Sequence, residues 1–202
     1  MVPSKLQQFF TENPRVALAF SGGCDSSYLL AAAVACGAQV KAYTVNTAFQ
    51  AAFEIDDARR VIREVGADFE IIEADIFSQA AVCANPPDRC YWCKRFIFGT
   101  IAAHMTRDGY TVLVDGTNAT DDPANRPGFR ALRELGVRSP LREANLEKEE
   151  IRRLSRAIKL FTGDKPSFSC LATKVEPHQT ITADVLRDVA TRKGTPSWIS
   201  AS

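Results

Sequence analysis

The residues best suited to chemistry in this 202-residue chain are Ser21-Gly22-Gly23-Cys24-Asp25-Ser26-Ser27. Two adjacent glycines let backbone N–H groups approach an anion closely. A helix starting just after them adds further donors and the positive end of its dipole. The hydroxyls of Ser21, Ser26 and Ser27 suit phosphate oxygens. Asp25 alone would repel phosphate, so its presence calls for Mg2+ between carboxylate and phosphates. The spacing is neither G-x-x-x-x-G-K-[ST] nor G-x-G-x-x-G. The plainer alternative is a serine- and glycine-rich turn that caps a helix.

A second group is made of thiols. Cys90 and Cys93 form a C-x-x-C at the start of an expected helix, and Cys170 lies in the distant segment Pro166–Lys174. Thiolates at a helix N-terminus are acidified and become good ligands or nucleophiles. Three cysteines fall one short of a closed structural zinc site. His104 and His178 do not repair this, one lying on the helix after Cys93 and the other in a separate loop. Three thiolates suit a [4Fe–4S] cluster with one open iron. Redox chemistry, or zinc with a ligand from elsewhere, stays open. Cys24 reads as packing, and Cys36 and Cys83 as buried thiols.

These groups need elements to hold them. Val16–Phe20 is a continuous apolar run, expected as a buried strand ahead of the serine–glycine loop. A helix runs from that loop to Cys36 and stops at Gly37. Val40–Val45 is the next strand, and apolar residues at 55, 58, 61, 62 and 65 mark one helix face ended by Gly66. Phe69–Ile72 is a third strand, Cys90–Arg107 a helix, and Thr111–Asp115 a fourth strand. This alternation predicts an α/β fold, a parallel twisted sheet with helices on both faces. Ligands of such sheets bind beyond the C-terminal strand ends, where Ser21–Ser26, Asn46–Thr47 and Asp115–Asn118 fall. Further on, Arg130–Leu135 reads as a short helix. Asn145 reads as the N-cap of a helix from Leu146 to about Lys159, and Thr182–Lys193 as a last helix.

Composition excludes several classes. The chain is 46% apolar and 24% charged, ordinary for a globular protein and unlike a disordered or fibrous one. The longest apolar run, Tyr28–Cys36, is far short of the ~18 residues a bilayer span needs. The N-terminus has no apolar signal-peptide core, so the expectation is a cytoplasmic protein with reduced thiols and no membrane partner. A net charge of +1 and the lack of a basic, aromatic-interleaved strip argue against nucleic acid.

The serine–glycine loop matches the S-G-G-x-D-S loop of the ATP pyrophosphatase (PP-loop) superfamily, whose fold is adenine nucleotide alpha hydrolase-like. Asn85–Lys94, Asp115-Gly116-Thr117-Asn118, Arg126–Gly128 and Pro166–Ala172 together resemble one branch, the LarE family of ATP-dependent sacrificial sulfur transferases. The resemblance runs from about Val16 to Thr182. It implies adenylation of a carboxylate of a pyridinium-3,5-biscarboxylic acid mononucleotide, release of AMP and pyrophosphate, and conversion to a thiocarboxylate for the nickel-pincer nucleotide.

Carried over by the resemblance, Ser21, Gly22, Gly23, Asp25, Ser26 and Ser27 bind ATP phosphates and Mg2+, with Asp115 and Gly116 beside them. Lys94 is a candidate contact to phosphate or adenylate, and Arg126 and Lys174 are weaker ones. Cys170 matches the cysteine that gives up its sulfur in one subtype. Cys90, Cys93 and Cys170 match the ligands of a sulfide-carrying Fe–S cluster in the other, and a cluster is the expectation here.

The resemblance also implies a homo-oligomer. Asn125 stands where an acid is expected. Residues 1–182 read as the ATP pyrophosphatase domain, and 183–202 as a helix and tail left from a truncated C-terminal region. Competing readings are an Fe–S-dependent tRNA thiolase and a non-catalytic nucleotide- or cluster-binding module.

Overall fold

The computed structural model describes residues 1–122 and 127–191. Four strands form β1 (Arg15–Ala19), β2 (Gln39–Asn46), β3 (Asp68–Glu73) and β4 (Leu113–Asp115). Nine helices accompany them among the described residues. The first five are α1 (Ser4–Glu12), α2 (Cys24–Ala35), α3 (Ala52–Val65), α4 (Ala80–Cys83) and α5 (Arg89–Arg107). The others are α6 (Gly128–Glu134), α7 (Pro140–Glu143), α8 (Lys148–Ala157) and α9 (Ala183–Thr191).

The strands pair in parallel in the order β3-β2-β1-β4, with Ala17 opposite Lys41 on one side and Leu113 on the other. Both sheet faces are covered, which is why β1 reads as an unbroken apolar run rather than an alternating one. Val16, Leu18, Val40, Ala42 and Val114 turn to one side, against Leu29 and Leu30 of α2, Ala58 and Val61 of α3, and Ile151 and Leu154 of α8. Ala17, Tyr43, Val45 and Leu113 turn to the other, against Phe98, Ile101 and Met105 of α5 and Leu132 of α6. Burying each such large side chain contributes about 1.5–3 kcal/mol before chain entropy is counted. A third, smaller cluster gathers Phe49, Ile76, Val82, Leu171, Val175, Ile181 and Leu186, and Cys93 and Cys170 pack against it.

The order β3-β2-β1-β4 reverses direction at β1. The crevice beyond the C-terminal ends of β1 and β4 is therefore the switch point where ligands of such sheets bind.

The sequence reading departs from the structure in particular places. Asn145 is not an N-cap. It takes a left-handed backbone (φ 58°) just after α7, and α8 starts at Lys148 with Glu147 as its cap. Asn tolerates that conformation better than most residues, so here it serves to stop a helix. The fourth strand is shorter than Thr111–Asp115. Helix α1, with Leu6, Phe9 and Phe10 buried, and the single turns α4 and α7 were not anticipated. Cys36 and Cys83 are half-buried rather than core thiols. Asn125, Arg126 and everything after Thr191 lie outside the described residues.

Candidate active site

The loop between β1 and α2 is shaped by two glycines that admit no side chain. Gly22 has φ +68°, and a Cβ there would come within 3.0 Å of the Ala58 backbone of α3. Gly116, just after β4, lies so close to α2 that a Cβ would stand 2.8 Å from the Ser26 nitrogen. Gly23 caps α2, and its N–H donates to Ser21 Oγ at 3.3 Å. The loop is thus a narrow cradle floored by backbone, walled by α3 on one side and the β4 end on the other.

Asp25 occupies the first turn of α2. Its Oδ2 accepts from Lys148 Nζ at 2.7 Å and from Asn118 Nδ2 at 3.3 Å. Its Oδ1 is buried and has no hydrogen-bond partner among the described residues. A buried carboxylate oxygen left without a partner costs about 1–3 kcal/mol or more, so such an atom marks a place for a ligand or ion. A hard divalent cation takes oxygen ligands of this kind, so Asp25 fits Mg2+. Lys148 was missed from the sequence because it lies at the start of a different helix. Its only signal there was a lysine in the first turn of an expected helix.

The serines divide their roles. Ser26 Oγ donates to Gly23 O at 3.2 Å and lies 3.1 Å from Ser21 Oγ, so it braces the loop from within. Ser27 Oγ is fully buried and unpartnered among the described residues. Asp115 does not present free oxygens either. It accepts from Thr117 N–H (3.2 Å), Thr117 Oγ1 (2.6 Å) and Ser139 Oγ (2.7 Å), which locks the turn that carries Gly116 and Asn118. Cys24 is buried, 3.6 Å from Ser155 Oγ, and burial raises its pKa, as expected of a packing thiol.

Lys94 lies along α5 and reaches towards α6. Its stem fills the space beside Gly128, and its Nζ stands 5.7 Å from the Phe98 ring centre and 5.9 Å from that of Phe129. Arg142 shares the Phe129 ring at 5.5 Å and donates to Asn118 O at 3.4 Å, so Lys94 stands on the rim of the same crevice. Lys174 Nζ is 5.9 Å from the Phe168 ring centre, on the thiol side. Arg126 lies outside the described residues.

The segment bearing Cys170 is held at the same end of the sheet. Leu171 N–H donates to Phe49 O, just past β2, at 3.1 Å. Lys165 pairs with Asp57 of α3 at 2.5 Å, one residue from the Ala58 that abuts Gly22. Burial pushes the Cys93 thiol up to about 12, helped by the nearby thiols of Cys170 and Cys90. Cys170 is also raised by burial, with the Arg89 guanidinium pulling the other way.

Cys90 is exposed and lies 3.9 Å from Arg89 Nη2. The three cysteines share a neighbourhood, but they do not compose a ligand set. Among the described residues no group of three or more His, Cys, Asp or Glu side chains is arranged to hold a metal ion. The structure therefore gives no support to the expected [4Fe–4S] triad of Cys90, Cys93 and Cys170. Cys93 and Cys170 sit in an apolar pocket that raises their pKa, and Cys90 faces solvent and a cation.

The asparagine synthase family model matches residues 8–117, from α1 through β4 and both glycines of the cradle. The chain belongs to this family of PP-loop ATP pyrophosphatase domains. An uncharacterized protein of Synechocystis is 33% identical over 193 residues, covering 94% of this chain and 72% of that one. The pyridinium-3,5-bisthiocarboxylic acid mononucleotide synthase of Lactiplantibacillus plantarum is 29% identical over 177 residues, covering 87% of this chain and 64% of that protein. Two solved structures share the fold, each with a TM-score of 0.62. The NH3-dependent NAD synthetase of Campylobacter jejuni is 17% identical, covering 85% of this chain and 78% of its own. The NMN synthetase of Francisella tularensis is 16% identical, covering 83% and 76%. Among the described residues no helix is long and apolar enough to cross a membrane.

Proposed function

We propose that this PP-loop protein is an ATP-dependent sulfurtransferase acting on a pyridinium dicarboxylate mononucleotide. The substrate carboxylate attacks the α-phosphorus of ATP, pyrophosphate leaves, and an acyl-adenylate forms. Sulfur then replaces AMP at the acyl carbon to give the thiocarboxylate, a precursor of the nickel-pincer nucleotide.

The observation that carries the ATP half is the buried, unpartnered Asp25 Oδ1 in a glycine cradle at the switch point. The sulfur half is supported by the thiol pocket at the same sheet end and by the likeness to the Lactiplantibacillus enzyme. In this reading Ser21, Gly22, Gly23, Ser26 and Ser27 surround the phosphates, and Gly116 keeps the β4 end clear of them. Bound Mg2+ would supply charge neutralisation and a fixed phosphate geometry at Asp25. Lys148 holds Asp25 oriented and offers a cation to the leaving pyrophosphate. Lys94, Arg126 and Lys174 meet the acidic substrate. The reaction runs in the cytoplasm, where thiols stay reduced.

Sulfur is delivered from the pocket of Cys93 and Cys170. With Cys170 as donor, its thiol gives up its proton to solvent, the thiolate attacks the acyl carbon, the C–S bond forms, and AMP leaves with the bonding pair. Transfer of the Cys170 Cα proton to a solvent base then breaks the Cβ–S bond, leaving dehydroalanine in the chain and the thiocarboxylate, with the bonding pair, in solution. The test mixes the protein with ATP, Mg2+ and the dicarboxylate mononucleotide, then follows pyrophosphate and the small-molecule mass. Intact protein mass and iron content identify the donor. Loss of the elements of hydrogen sulfide from Cys170 supports the cysteine. Roughly four irons per chain after anaerobic reconstitution, with the mass unchanged by turnover, would replace it with a cluster-borne sulfide. ATP binding with no pyrophosphate release would overturn the enzyme reading.

A further inference from the structure

Asn85 is buried, with a relative exposure of 3%, and its backbone is left-handed (φ 51°). Few residues accept that conformation, and its strain persists only where the surroundings fix it. They do so here. Asn85 Nδ2 donates to Glu176 O at 2.8 Å, and Asn85 O accepts from His178 N–H at 3.1 Å. Its remaining side-chain atom, Oδ1, accepts from Arg89 Nη1 at 2.6 Å. The same Nη1 donates to Ala172 O at 2.8 Å, two residues past Cys170, and Nη2 lies against Cys90 Sγ. One amide and one guanidinium thus join the start of α5, with its C-x-x-C, to the segment 172–178. The acceptors of Arg89 in these contacts are an amide oxygen, a carbonyl oxygen and a cysteine sulfur.

We infer that Asn85 and Arg89 form a latch that positions the Cys170 segment against Cys93, and that sulfur delivery depends on the latch while ATP cleavage does not. The inference rests on the sulfurtransferase reading for the word sulfur, but the latch itself is a matter of geometry. Arg89 is a positioning residue. One nitrogen, Nη1, serves both carbonyl-type acceptors while Nη2 of the same rigid plane lies against Cys90 Sγ, three contacts that a single lysine ammonium on a flexible stem does not reproduce. The segment after Cys170 has little regular structure of its own, only the single turn Leu171–Lys174, so its placement relies on such cross-links.

The test uses a short bifunctional thiol reagent, dibromobimane, on the reduced full chain, with the bridged cysteines located by peptide mass. At mildly alkaline pH and with the long exposure that the slow, buried Cys93 requires, the wild type should give a Cys93–Cys170 bridge. Arg89→Ala should lower its yield about tenfold, Arg89→Lys should fail to restore it, and Asn85→Gly, which keeps the backbone conformation and removes the amide, should resemble Arg89→Ala. Pyrophosphate release and KM for ATP should stay within about twofold, while kcat for thiocarboxylate formation falls with the bridge. Absence of the bridge in the wild type, full bridging in Arg89→Ala, or loss of pyrophosphate release in step with the bridge would overturn the latch. If the wild type makes no thiocarboxylate yet bridging still follows Arg89 and Asn85, the latch stands and the sulfurtransferase reading falls.

Discussion

The ammonium of Lys148 stands 2.7 Å from Asp25 Oδ2, although 123 residues separate the two. Helix α8 packs on α2, and this packing brings a cation from the last third of the chain to the acid of the phosphate loop. The pair leaves one carboxylate oxygen bonded and the other open. Asp25 is thereby oriented before any nucleotide arrives.

Asp25→Asn keeps the shape and removes the charge. Mg2+-dependent pyrophosphate release should fall by at least ~10²-fold, the scale for deleting one electrostatic stabiliser. Far-UV circular dichroism should be unchanged. Normal release by the variant would refute the assignment of the loop.

Lys148→Met should raise KM for ATP by ~10-fold, since a charge-assisted hydrogen bond contributes about 1.5–3 kcal/mol. Steady-state kinetics across ATP concentrations would check it. An unchanged KM together with an unchanged rate would reduce Lys148 to a structural counter-ion.

Gly116→Ala places a methyl 2.8 Å from the Ser26 backbone nitrogen, which has no room to withdraw. Overpacking of this kind costs about 1–3 kcal/mol. Denaturant unfolding should show that loss, and nucleotide affinity should drop with it. Gly99→Ala, in open space on α5, is the control and should be neutral or slightly stabilising.

A pH dependence follows from the far end of the sheet. Burial pushes the Glu70 carboxyl up, but hydrogen bonds from Lys41, His104 and Arg107 outweigh it and hold it at about 2. Its unfolded value is ~4.3. A carboxylate depressed by folding adds stability above its unfolded pKa and loses it as pH falls through the folded one. Stability should therefore decline from about pH 4 towards pH 2. Glu70→Gln should be less stable at neutral pH and lose less over that interval. Parallel stability curves for both proteins across that range would refute this.

Thiol reactivity should sort by burial. In mildly alkaline buffer, iodoacetamide should modify exposed Cys90 at least ~10-fold faster than Cys93, whose thiol is pushed up to about 12. Peptide mass after timed quenching would measure it, and equal rates would contradict the buried pocket.

Local pattern alone determined much of this protein. Apolar runs at β1 and β2, the helical spacing of Ile55, Ala58 and Val61 on α3, and the stop at Gly66 placed the parallel sheet and its loop. These are nearest-neighbour effects, written in adjacent residues. The glycines of the cradle were legible for the same reason, because a turn that must admit an anion has few residues to choose from.

What only the tertiary structure decided lies between residues distant in the chain. Lys148 on Asp25, Arg89 on Ala172, and the closing of Asp115 by Ser139 depend on which helix packs on which strand end. Asn145 shows the limit within a single segment: the same side chain can cap a helix start or take the left-handed turn after one, and the packing of α7 before it selected the turn. The thiols show it across the fold. Spacing groups Cys90, Cys93 and Cys170, but spacing carries no information on burial. The apolar cluster around Leu171 and Val175 holds two of them, while the helix start leaves the third in solvent.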